Sequence, residues 1–273
     1  MLDPLIALSN ITEQFHHWLI MILLCSARLF GVLGVLQATT SQIVQGRARS
    51  GIVVLISLFI AGGQPTTMFD RIAAPDLVLL TLKEAFLGLL IGYAAATVFW
   101  VAEGVGALID NVAGYNNVQQ QNPLSSAQST PLSSLLLQLC VTIFYVGGGF
   151  LFLLEAVFET YRWWPVAAFA PVPAAILERF VLAQTDTLVT QMVKIASPIL
   201  LVMLLIDLGF GLVAKTAGKL EPNSLAQPVK SATALLVMLL SLAVFIDQLS
   251  SNISLLDLKA QLQSWASVGA GFR

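Results

Sequence analysis

A chain of 273 residues in which 57% are hydrophobic and only 10% charged is not an ordinary soluble domain, where about a quarter of the residues carry charge. With a mean hydropathy of +0.85 it reads as an all-α integral membrane protein. Its 13 Lys and Arg against 15 Asp and Glu give a net charge of −2, and without a basic patch nucleic acid is excluded as a partner.

Apolar runs occupy residues 15–36, 51–62, 77–101, 135–158, 195–214 and 231–249, whereas a conventional span needs about 20 residues. No Lys or Arg precedes Arg28, so the positive region of a signal peptide is missing and the first run is expected to stay in the mature protein. The second run, Gly51 to Gly62, is too short to cross alone, and Pro198 and Asp207 interrupt the fifth. Such helices are tolerated at membrane depth where protein rather than lipid surrounds them. The expected fold is therefore a membrane-associated all-α chain of short, broken hydrophobic helices packed into a hetero-oligomeric helical assembly, with membrane lipid as a further neighbour. If the six runs alternate sides, Arg71, Arg162, Arg179, Lys194, Lys259 and Arg273 face Arg47, Arg49, Lys215, Lys219 and Lys230 across the bilayer. That near-balance sets no orientation.

The stretch 101–134 is a polar island between two apolar halves. It holds four Gln, four Asn, six Ser or Thr and three Gly, with Glu103 and Asp110 as its only charges. It reads as a long loop, and such loops tend to be functional. Gly104, Gly106 and Gly114 permit close backbone packing, Ile109 can fill a bore, and Asp110 can fix the loop through backbone amides or a neighbouring cation. Such a segment suits the lining or blocking of a passage.

Further along, Ile176, Leu177, Phe180, Val181, Leu188, Val189, Met192 and Ile195 recur at three- and four-residue steps and predict an amphipathic helix. Before it, Tyr161 to Pro165 has the aromatic and cationic mix of a membrane interface. Residues 1–250 form one expected domain, and 251–273 an exposed tail with Leu255, Leu258 and Leu262 as a short docking face.

Arg28, Lys83, Glu84, Glu155 and Asp207 lie in or at the ends of apolar runs and need partners there, since each costs several kcal/mol alone at a bilayer centre. Lys83 and Glu84 are adjacent and are not expected to face each other. A brace between helices is favoured over a proton relay. Gly88, Gly92 and Ala96 follow Glu84 at four-residue steps, the pattern of a close helix-packing seam. Cys25 and Cys140 are isolated in apolar runs, and the adjacent His16 and His17 have no further ligand set around them, so no disulfide, metal or other cofactor is expected. No nucleophile–base pairing or Gly-x-Ser-x-Gly motif is present, and enzyme activity is not expected.

Four segments occur in order: Lys83-Glu84-AFLGLLIGYAA, Gly106-ALID-Asn111, Ile206-Asp207-LGFGLV and Ser224-LAQPVKS. Together they resemble the T subunit of the type III secretion export apparatus (SctT/FliR family), although Ala217 to Ser224 departs from the Pro-Gln-Leu-Asn-Val pattern of that family. The resemblance implies a bacterial inner-membrane export gate in which one T subunit joins R and S subunits above a switch subunit and an export-gate ring. It also implies unfolded secreted proteins as cargo and a plug formed by the polar loop from Gly104 to about Pro131. Pro228 and Lys230, in the last segment, are expected at assembly contacts. The rival reading is a proton-coupled transporter using Lys83, Glu84 and Asp207; such proteins often carry internal repeats, and none is visible.

Overall fold

The computed structural model describes residues 3–40, 43–63, 74–115, 120–121, 128–167, 174–216 and 222–253. Among the described residues the helices are α1 (Asp3–Val35), α2 (Gly46–Gly62), α3 (Ala74–Ala113), α4 (Pro131–Val146), α5 (Gly149–Trp163), α6 (Ala174–Thr216) and α7 (Pro222–Ile253), with a 3-10 turn at Gln37–Thr39. Between α3 and α4, β1 (Gln120–Gln121) and β2 (Gln128–Ser129) form a two-residue antiparallel pairing, Gln120 opposite Ser129 and Gln121 opposite Gln128.

The all-α membrane class holds, but most of the helices are long. Three of them, Gln14–Val35, Pro75–Ala113 and Leu177–Lys215, are long and apolar enough to cross a membrane, and the broken pair α4 and α5 can supply a fourth span. The fifth apolar run is not broken: α6 passes through Pro198 and Asp207, and the amphipathic segment before it belongs to the same helix. A proline inside a helix removes one backbone hydrogen bond. The run 135–158 does break, at Gly147 and Gly148, where Gly148 takes a φ of +72° that favours glycine.

The described chain falls into two compact units, the first from 1–96 and 151–177, the second from 97–150 and 178–253. Of the expected tail, 254–273 lies outside the described residues, as does 217–221.

In the first unit the core is built on Met21, Leu24, Leu29, Val32 and Leu33 of α1 with Leu80, Leu87 and Ile91 of α3. The two helices touch backbone to backbone. A Cβ at Gly31 would lie 2.6 Å from the Ala85 carbonyl oxygen, one at Gly92 would lie 2.7 Å from that of Val32, and one at Gly88 would collide with that of Arg28. Ala96 is buried at the end of the same ridge. Small residues permit this approach, which is how apolar helices gain contact where no hydrophobic drive separates them from lipid.

In the second unit Val105, Ile109, Leu136, Leu137 and Cys140 are buried, with Phe99 packed edge-to-face on Phe144 at 5.2 Å. On α6 the buried residues are Phe180, Gln184, Ala196, Ile199 and Met203, a minority of that helix. The rest of that helix leaves Leu201, Leu204, Leu205, Leu208 and Leu212 exposed, and α7 does the same with Leu236, Leu239 and Leu240. Val181 and Val189, expected on the buried face, are exposed too: the apolar residues of α6 outnumber the positions its own chain can cover.

Candidate functional site

The stretch expected to be a loop from Val101 is helical as far as Ala113. Two glycines and polar residues weaken a helix locally by about 1 kcal/mol per glycine, and tertiary contacts on this segment offset that. Gly106 lies flat against α4, where a Cβ would come within 2.5 Å of the Ser133 amide nitrogen and 2.7 Å of the Leu132 carbonyl carbon. Ser133 in turn donates from Oγ to the Glu103 carbonyl at 3.0 Å. Gly104 faces Met192 of α6 with no room for a methyl group unless that side chain moves.

One turn beyond Gly106, the buried carboxylate of Asp110 meets the start of α4. Its Oδ2 accepts the backbone N–H of Leu132 at 2.9 Å and of Ser133 at 3.2 Å, and the Thr130 side chain lies beside the same carboxylate. The first amides of a helix have no partner within it and carry partial positive charge. Thr130, at the usual capping position, makes no side-chain cap hydrogen bond, so Asp110 performs that task from another helix. Ile109, beside it, is fully buried within the chain.

At Gly114, φ +85° ends α3. The carbonyls left over at that end are held by α7. Gln227 donates from Nε2 to the Gly114 carbonyl at 2.9 Å and, more weakly, to that of Ala113 at 3.4 Å, while Ser231 donates from Oγ to the Ala113 carbonyl at 3.2 Å. Lys230, on the same turn, forms an ion pair with Asp207 of α6. Pro228 lies inside α7 with its side exposed. Thus the C-terminal end of α3 is tied to the start of α4 by Asp110 and to α7 by Gln227 and Ser231.

The other charged cluster lies in the first unit. Arg28 and Glu84 are both fully buried and paired through Nε and Oε2 at 2.6 Å. The guanidinium also donates to the Thr160 hydroxyl at 3.1 Å and the Trp164 carbonyl at 3.0 Å, and it lies 4.0 Å from the centre of the Tyr161 ring. Contrary to expectation, Lys83 reaches its neighbour: Nζ lies 2.9 Å from Glu84 Oε1. Adjacent helix positions do not share a face, but the four-carbon arm of lysine can fold back along the helix. The same ammonium donates to the Val166 carbonyl at 2.9 Å. Tyr161 is buried, its hydroxyl donating to the Cys25 carbonyl at 3.0 Å.

Thr160 and Gln227 carry no role in the sequence reading. For Gln227 a signal existed: it and Ser231 are polar residues four apart, on one side of a helix.

Residues 19–256 match the family described as bacterial export proteins, family 1. The chain is 34% identical over 214 residues to Yop proteins translocation protein T of Yersinia pestis, covering 78% of this chain and 82% of that protein. It is 25% identical over 256 residues to surface presentation of antigens protein SpaR of Salmonella typhimurium, 92% and 93% of the two chains. Flagellar biosynthetic protein FliR of Bacillus subtilis matches at 22% over 168 residues, 61% of this chain and 65% of that one.

Proposed function

From the fact that the chain belongs to the bacterial export proteins, family 1, we propose that it is a structural and gating subunit, without enzymatic chemistry, of a type III protein export apparatus in the bacterial inner membrane. The segment 114–130 is its plug: a polar stretch that closes the passage taken by unfolded secreted proteins. One observation carries this reading. The segment is clamped at its base by the Asp110 carboxylate on the α4 amides and by Gln227 and Ser231 on the α3 carbonyls.

In this reading Gly104, Gly106 and Asp110 are the buttress of the plug, and Gly114 is its hinge point. The exposed leucines of α6 and α7 face the R and S subunits of the assembly, where apolar surface of this extent belongs. The switch subunit and the export-gate ring are neighbours of that assembly, and unfolded secreted proteins are its cargo. The ion pairs of Arg28 and Lys83 with Glu84, and of Lys230 with Asp207, are complete within the chain, which supports braces over a proton relay.

The test replaces residues 116–129 with a flexible Gly-Ser linker. Complexes purified with their partner subunits should assemble as the parent does on native gels and conduct small ions in planar bilayers. A replaced complex that assembles and stays as tight as the parent overturns the plug.

A further inference from the structure

Among the described residues, α6 is the least covered of the three helices long and apolar enough to cross a membrane. Its 43 residues run to about 65 Å at about 1.5 Å each, against about 30 Å of bilayer hydrocarbon. One sector of its surface, about 80° wide at about 100° per residue, is exposed along the helix. The sector carries Arg179, Ala183, Asp186, Thr190, Lys194 and Ser197, at steps of three and four, and then Leu201, Leu204, Leu208 and Leu212, with Lys215 in the last turn. The change from polar and small residues to leucine falls at Pro198. Proline has no amide N–H, so the carbonyl four residues earlier loses its partner. That carbonyl belongs to Lys194, and Ser197 donates to it from Oγ at 3.0 Å, so α6 continues with the freed group satisfied.

Arg179, Asp186 and Lys194 stand about 11 and 12 Å apart along the axis, beyond the three- and four-residue steps at which charges pair on a helix. Three such charges facing hydrocarbon are strongly disfavoured. The long arms of Arg179 and Lys194 can reach toward an interface, but the short one of Asp186, between them, cannot. Residues 179–197 of this sector, about 27 Å long, therefore belong in water. Leu182, Val189 and Val193 on its flank are exposed too, which a water-facing surface tolerates. A protein docking site has an apolar centre depleted of charge, and this surface is the reverse.

We infer that the polar half of this sector, residues 179–197 of α6, lines the water-filled passage of the export apparatus, and that α6 leaves that water at Pro198, where the leucines begin. The assignment rests on the export reading above and not on the plug. The surface suits an unfolded cargo of any sequence. Its hydroxyl and methyl groups offer a passing chain no large apolar anchor, and charges of alternating sign neither hold nor repel a chain of one net charge. The leucine section, about 17 Å long, is the part that partner subunits cover.

The experiment uses the whole complex in membrane vesicles, with a charged, membrane-impermeant thiol reagent on both faces. Cys25 and Cys140 are both buried, so the parent gives the blank. Thr190→Cys and Leu208→Cys change exposed positions, and native gels check that both variants assemble. Thr190→Cys should react faster than Leu208→Cys by about seventyfold, the factor by which a charged group is kept out of hydrocarbon. A photo-crosslinking side chain is then placed at Thr190 or at Leu208 in cells exporting a cargo protein that stalls in transit; adducts with the cargo should form from the first position only. Equal reaction at the two positions, or none at Thr190, overturns the water-facing surface. Reaction at Thr190 without a cargo adduct overturns the passage assignment, because that water would lie outside the passage. Cells that export normally without this chain would remove the export reading itself, an outcome separate from any of the labelling results.

Discussion

Replacing Glu84 by Gln tests whether the buried charges of the first unit are a brace. In the parent one carboxylate serves two cations, Arg28 at 2.6 Å and Lys83 at 2.9 Å, and neither Arg28 nor Glu84 has any exposed surface. The neutral amide of Glu84→Gln would leave a guanidinium and an ammonium side by side without the carboxylate they share, beside the Thr160 hydroxyl, three carbonyls and the Tyr161 ring. Removing one partner of a buried pair costs about 3–5 kcal/mol. At about 2–4 °C per kcal/mol for a chain of this size, the loss of melting temperature is roughly 6–20 °C. The assay is thermal unfolding of the purified complex in detergent, followed by tryptophan fluorescence. The double variant Arg28→Met with Glu84→Met removes both charges and should recover much of the loss, since an apolar replacement of a buried pair is often neutral. Glu84→Gln melting within about 2 °C of the parent, a shift far below that range, would refute the brace. If that stable variant had also lost export driven by a proton gradient, the relay would take its place.

Two further substitutions probe the helix contacts. Gly92→Ala places a methyl group 2.7 Å from the Val32 carbonyl oxygen and 3.0 Å from its Cα; both are backbone atoms, so α1 must retreat, at about 1–3 kcal/mol, and the same melting experiment should show it. Asp110→Asn keeps an oxygen for the α4 amides and should lose only the charge–dipole part, about 0.3–1 kcal/mol. Asp110→Ala leaves the Leu132 and Ser133 amides buried without an acceptor, at about 1–3 kcal/mol each. Hydrogen exchange at those two amides is therefore expected to be faster in the Ala variant and near the parent in the Asn variant; equal exchange in all three would show that Asp110 does not cap α4.

The sequence by itself determined the class: 57% hydrophobic against 10% charged residues leaves a chain with no choice but apolar surroundings, and backbone groups in such surroundings must be satisfied within helices. It also marked where the helices lie, because a run of apolar residues is a local property and burial sums over it. Where one helix ends was less legible. The stretch from Val101 reads as a loop, yet Gly104 packs on Met192 and Gly106 on Ser133, and α3 continues to Ala113. The partners of the polar groups were decided by tertiary structure alone. Nothing near Asp110 in sequence says that its acceptor lone pairs meet amides 22 and 23 residues away, nor that Glu84 shares itself between an adjacent lysine and an arginine 56 positions back. A polar side chain in an apolar chain must find a partner, and sequence can state that need. Which partner it finds depends on how close two backbones come, and at α1 against α3 that distance is set by atoms glycine does not have.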